Sequence, residues 1–167
     1  MAKKIVIPSK GIFIDAFAPA LQKLIEEYNK AINPYLKKKL KEAINSVLRK
    51  FSDRYPEGVS VNAKKLAATY GVDLCDKLWT DKNICGKTGN KSNIVWEHTT
   101  PITELIDTLL KCQDIDCVKS ILDEYSGVVW ITREEDDCLI SEGYRNERPG
   151  GWRRCYQECG IIVIECK

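Results

Sequence analysis

The chain has 167 residues, with 26 Lys and Arg against 24 Asp and Glu, a single His and eight Cys. Its 44% hydrophobic and 30% charged residues are enough for a buried core and argue against intrinsic disorder. No apolar run approaches the roughly 18 residues of a membrane span, and the first residues lack the apolar stretch of a signal peptide, so a cytoplasmic protein with no membrane partner is expected. The net charge of +2 conceals an asymmetry: residues 1–91 carry 18 basic and 9 acidic side chains (+9), and residues 92–167 carry 8 and 15 (−7). Such a split marks either one face that meets a polyanion or two halves that attract each other.

Lys4–Ile7 is a short β-prone start that Pro8 ends. A first helix is expected from near Pro19, which suits a first-turn position, with Leu21, Leu24, Ile25, Tyr28 and Ile32 on one face. Asn33-Pro34 is a cap-and-start signal for a second helix, with Leu36, Leu40, Ile44, Val47, Leu48 and Phe51 as its apolar stripe. Residues 52–58 read as a linker. A third helix follows Ser60 and stops at Gly71, a shorter one is expected around Leu74–Trp79, and Thr80–Asn93 is a polar loop.

In the second half, Ile94–Trp96 reads as a short strand and Pro101 opens a helix with Ile102, Leu105, Ile106 and Leu109 on one side. Another helix covers Asp116–Tyr125. Val128–Ile131 is a strand of β-prone residues. Thr132-Arg-Glu-Glu135 is a capping box for the helix after it. Arg145–Gly151 is a loop, Trp152–Glu158 a helix that Gly160 breaks, and Ile161–Ile164 a strand. The expected class is α+β and mostly helical. A basic helical region over residues 1–91 is followed by a small acidic α/β region over 92–167 with a short sheet, in one compact domain.

Without a signal peptide, the eight cysteines are expected as reduced thiols. Cys112, Cys117, Cys155 and Cys159 are spaced so that they could supply four thiolates to a structural zinc. Cys155 and Cys159, one helical turn apart, are also explained by burial as small apolar side chains, and structural zinc is the lesser expectation.

The segment Ile94-Val-Trp-Glu97-His98-Thr-Thr-Pro101 carries the most chemistry. Glu97 could hold a hard cation such as Mg²⁺ through oxygen, and His98, whose ordinary pKa lies near neutrality, could take a proton from an attacking water. Adjacent side chains of an extended strand point to opposite faces, so joint action needs a bend. A structural histidine beside Trp96 is the alternative. This segment resembles the first motif of the HNH, or ββα-metal, nucleases, in which a hydrophobic strand leads into an acidic residue, His and often Pro. The resemblance implies Glu97 as metal ligand and His98 as general base for phosphodiester cleavage. It covers about eight residues, and the family's second His has no counterpart. The terminal strand with Glu165 and Lys167 resembles the core of PD-(D/E)XK nucleases, which implies Glu165 as a metal ligand, with Asp136 or Asp137 as the earlier acid.

Arg145, Arg148, Arg153 and Arg154 surround Gly150-Gly151 and Trp152. They suit either phosphate binding or neutralisation of Glu134, Glu135, Asp136 and Asp137. Lys64-Lys65-Leu66-Ala-Ala-Thr-Tyr70-Gly71-Val72 is similar to the first helix and turn of a helix-turn-helix motif. With Lys37, Lys38, Lys39 and Lys41, and with Lys77, Lys82, Lys87 and Lys91, it suggests a phosphate-tracking surface. The leading expectation is therefore a Mg²⁺-dependent endonuclease, acting on DNA rather than RNA and working as a homodimer to cut two strands. The alternatives are a non-enzymatic DNA-binding or inhibitor protein and a metal-independent RNase toxin using His98.

Overall fold

A computed structural model describes residues 7–166. The expected Lys4–Ile7 strand lies outside them except for Ile7, and so does Lys167. The described residues form a mostly helical α+β fold with seven α-helices and a four-stranded mixed sheet. The chain divides into two compact units, Met1–Arg54 with Ile106–Glu124 and Tyr55–Leu105 with Tyr125–Lys167. The expected boundary after residue 91 falls inside the second unit. Counted by unit, the charges are 14 basic against 10 acidic (+4) and 12 against 14 (−2), so much of the +9/−7 split disappears. The acidic stretch 106–124 belongs with the basic N-terminal helices. In the first unit Lys41 pairs with Asp107 at 2.6 Å and Lys119 with Asp15 at 2.7 Å. Mutual attraction of opposite charges thus accounts for part of the asymmetry.

In the first unit, α1 spans Lys10–Lys30 and continues through Pro19, the residue near which the sequence predicts its start. Ile14, Ala18, Leu21 and Ile25 are buried at four- and three-residue spacing on both sides of the proline. The Phe13 and Phe17 rings stack at 5.8 Å and both meet Phe51 edge-on. This continuous apolar stripe outweighs the backbone hydrogen bond that a proline removes. α2 spans Pro34–Phe51 and starts where the sequence places it: the Asn33 side chain accepts from the amides of Tyr35 and Leu36. α4 covers Ile102–Leu109 and α5 covers Ile115–Tyr125. Cys112, in the connection between them, forms a disulfide with Cys117 in the first turn of α5.

The second unit is built on a sheet of β1 (Gly58–Ser60), β4 (Ile94–His98), β5 (Val128–Thr132) and β6 (Val163–Glu165) in the order β4-β5-β1-β6. β1 runs parallel to β5, and the other two pairings are antiparallel. The sheet therefore does not belong to the C-terminal half alone, because its inner strand β1 starts at Gly58, the last residue of the expected linker, and runs to Ser60 at the start of α3. Three residues are too few to show an alternating pattern, yet all three are buried. Gly58 is required there, since a Cβ would stand 2.5 Å from Val163 Cγ1 and 2.9 Å from the Ile164 carbonyl oxygen.

The two sheet faces carry separate cores. One holds Val59, Ile94 and Trp130 under Ala63 and Ala67 of α3 (Val61–Thr69), with Trp96 packed against it. The other holds Val129 and Ile131 with Leu139 of α6 (Arg133–Ser141) and Cys155 and Tyr156 of α7 (Trp152–Glu158). The Thr132–Glu135 capping box forms as expected. The buried Glu135 carboxylate also accepts from Ser60 Oγ at 2.6 Å, tying the start of α3 to the start of α6.

Four of the eight cysteines are oxidised, Cys75 to Cys166 and Cys112 to Cys117, which corrects the expected set of reduced thiols. It also corrects the zinc expectation, because Cys112 and Cys117 are spent on each other, while Cys155 and Cys159 belong to the other unit. No helix among the described residues is long and apolar enough to cross a membrane.

Candidate functional site

β4 pairs with β5 residue for residue, without a bulge, from Ile94↔Thr132 to His98↔Val128. A regular strand alternates its side chains. Val95 and Glu97 therefore share the face of Val129, whereas Trp96 and His98 share the face of Trp130. The bend that would bring Glu97 and His98 onto one phosphate does not occur.

Glu97 has a different partner. Arg148 Nη2 donates to Glu97 Oε1 in an ion pair whose Arg148 residue is only 4% exposed. The backbone of the Arg148 loop is fixed as well. The Arg148 amide donates to Glu104 Oε2 at 3.0 Å, its Nε to the Tyr144 carbonyl at 3.0 Å, and Thr103 Oγ1 to the Asn146 carbonyl at 3.1 Å. The guanidinium also lies over the Tyr156 ring, 5.2 Å from its centroid. Burial pushes the Glu97 carboxyl up to about 7 even though the Arg148 charge pulls it down. Burial, and then the Glu97 carboxylate, push the Tyr156 phenol up. Asp136 is also raised by burial, against the pull of Arg133 at 2.6 Å.

This arrangement does not fit a Mg²⁺ centre. A hard cation needs several oxygen ligands, and it would have to displace a buried guanidinium from the one carboxylate offered. Glu165 cannot complete the set. It faces Gly58, Gly58 faces Val129 and Val129 faces Glu97, so the two carboxylates stand three strand spacings apart, or roughly 14 Å. Asp136 is engaged with Arg133. Among the described residues, no three His, Cys, Asp or Glu side chains are grouped to hold a metal ion. The expected roles of Glu97 and Glu165 as ligands and of Glu97 with His98 as a catalytic pair thus have no geometric support.

The arginine cluster is also dispersed. Arg148 is buried on Glu97 and offers nothing to a phosphate. Arg154 pairs with Glu158 at 2.8 Å and lies across Gly150, whose Cβ would stand 2.9 Å from Arg154 Cδ. Arg153 is exposed with its guanidinium 4.5 Å from the Trp152 ring centroid. The acids that engage Arg148 and Arg154 are Glu97 and Glu158, not those of 134–137.

The expected lysine surface falls into two groups. Lys37, Lys38 and Lys41 lie on α2 in the first unit, where Lys37 sits over the Tyr28 ring at 5.2 Å and Lys41 is paired with Asp107. Lys64 and Lys65 lie exposed on α3 in the second unit. Near the end of α3, a two-residue Gly89-Asn90 turn joins β2 (Lys87–Thr88) to β3 (Lys91–Ser92), a hairpin missed in the expected polar loop. A glycine in a two-residue turn between short polar strands was the available signal. Tyr70 holds the hairpin against α3, its Oη lying 2.8 Å from where a Gly86 Cβ would stand. Ser92 Oγ bonds the Lys82 carbonyl, and Lys82 Nζ lies 4.1 Å from the Trp79 ring centroid. Tyr70 and Trp79 are 49% and 48% exposed.

The expected second helix of a helix-turn-helix is not formed. Gly71 adopts φ +66° and ends α3, and only two three-residue 3-10 turns follow, Leu74–Asp76 and Trp79–Asp81. Fold and site together define a mixed α+β protein with a largely buried Arg148–Glu97 pair on one sheet face and exposed lysines on α3 and the β2–β3 hairpin. No protein-family model matches the chain, and comparison with curated proteins and with solved structures found no match.

Proposed function

We propose that the protein is a non-catalytic nucleic-acid-binding module that works through the basic surface of its second unit. One observation carries this reading: Lys64, Lys65, Lys87 and Lys91 are all exposed, and none makes an ion pair among the described residues. Of the remaining cations, Lys39 is neutralised by Glu42, Lys41 by Asp107, Lys77 by Asp76, Arg148 by Glu97 and Arg154 by Glu158, whereas Lys37, Lys82 and Arg153 sit over aromatic rings. Unneutralised lysines held on a helix and an adjoining hairpin gain most from a polyanion, because each contact releases condensed counterions.

The reading is tested by fluorescence anisotropy with labelled DNA and RNA oligonucleotides across a salt series. Four phosphate contacts predict a slope of log affinity on log salt between about −3 and −4. Replacing the four lysines by Gln should abolish most of the binding and flatten the slope. An affinity indifferent to salt would sink the proposal. Incubation with Mg²⁺ runs beside it: cleavage present in the wild type and lost in His98→Ala would instead favour the nuclease.

A further inference from the structure

We infer that this basic surface takes single-stranded nucleic acid, with bases stacked on Tyr70 and Trp79. The inference rests on the nucleic-acid reading above and narrows its substrate class. Both rings are about half open to solvent, and they border the same hairpin. Tyr70 meets its base at Gly86, while Trp79 meets it through Lys82, whose carbonyl accepts from Ser92. The unpaired Lys87 and Lys91 stand on that hairpin, and Lys64 and Lys65 on the helix that ends at Tyr70.

Two physical arguments select the single strand. Duplex bases already stack on one another and present only their edges, so an exposed aromatic face gains little from them. An open strand offers its base faces, and alternating aromatic and cationic side chains are what it needs. Duplex readout, in contrast, uses an element shaped for a groove. Between Gly71 and the hairpin the chain supplies only two three-residue turns, too short to lie in a major groove. Lys82 Nζ covers one face of the Trp79 ring, 4.1 Å from its centroid, so a base stacks on the opposite face or displaces the flexible lysine, whose charge then meets the flanking phosphate.

The test compares a labelled oligothymidylate with a duplex of equal length. Wild type should prefer the single strand. Tyr70→Ala and Trp79→Ala should each weaken it about 5- to 150-fold, the equivalent of one lost base stack. Duplex affinity should stay unchanged. Tyr70→Phe and Trp79→Phe keep a ring and should retain most of the affinity, which separates stacking from misfolding. Oligothymidylate should quench tryptophan emission in the wild type, and the quench should shrink in Trp79→Phe. If the Lys→Gln variant loses binding while both alanine variants keep it, stacking is wrong and the nucleic-acid reading stands. If the Lys→Gln variant binds as tightly as the wild type, both are wrong.

Discussion

Glu97 and Arg148, 51 residues apart in sequence, form a buried ion pair on the face of β4 that His98 does not share. The two partners are not equivalent. A carboxyl left alone in an apolar site can take up a proton, whereas a guanidinium cannot shed one. Glu97→Leu should therefore cost about 3–5 kcal/mol, the usual penalty for stranding a buried charge. Arg148→Met should cost less, since Glu97 then becomes neutral. The double variant should recover most of the loss. Urea denaturation above the Glu97 titration measures all three, and equal costs for the two single variants would contradict this asymmetry.

The same pair makes stability depend on pH. Burial raises Glu97 from 4.5 to about 7 in the folded chain. Between those values the folded protein holds a proton that the unfolded chain releases. Stability should therefore be highest at or below the unfolded value, fall as pH rises through the folded one and then level off. The fall attributable to Glu97 is at most about 3 kcal/mol. Asp136, also raised by burial, acts in the same direction. Glu97→Gln does not titrate, so the difference between wild type and variant across pH isolates the Glu97 part. A difference that grows with rising pH in favour of the wild type would reverse the assignment.

What could be read in advance was local. Asn33-Pro34, Ser60 and Thr132–Glu135 each fix a helix start with their own side chains, and each helix begins there. The runs of β-prone residues at Ile94 and Val128 likewise form β4 and β5 where local composition places strands. What escaped was non-local. β1 is a strand only because β5 and β6 pair with it on either side. Glu97 and Arg148 belong to separate motifs, and no spacing announces that burial will join them. The charge split was visible, but the return of 106–124 to the N-terminal helices depends on tertiary contact. The proposed basic surface was half visible, in its lysines but not in its exposed rings.

The two disulfides should differ in worth. Cys75–Cys166 spans 91 residues of sequence and Cys112–Cys117 only five. Loop-closure entropy gives about 4–5 kcal/mol for the long link and about 2 for the short one. Cys75→Ala with Cys166→Ala should therefore lower the urea midpoint more than Cys112→Ala with Cys117→Ala. Cys166 directly follows the edge strand β6, so hydrogen exchange at 163–165 should accelerate first in the Cys75/Cys166 variant. Equal losses from the two pairs would mean that the unfolded chain is already compact around the long link.

Pro19 lies well inside α1 on its exposed side, where it offers no amide to the Asp15 carbonyl. An interior proline costs a helix about 3 kcal/mol relative to alanine, part of which relaxation of the backbone recovers. Pro19→Ala should therefore stabilise the protein by about 1–3 kcal/mol, read as a higher urea midpoint with an unchanged slope. The gain is limited by the core beside it, since Phe13, Phe17 and Phe51 pack as one cluster from α1 to α2. If the variant is less stable than the wild type, that cluster requires the helix geometry the proline imposes. The residue is then part of how the first unit packs and not a tolerated defect.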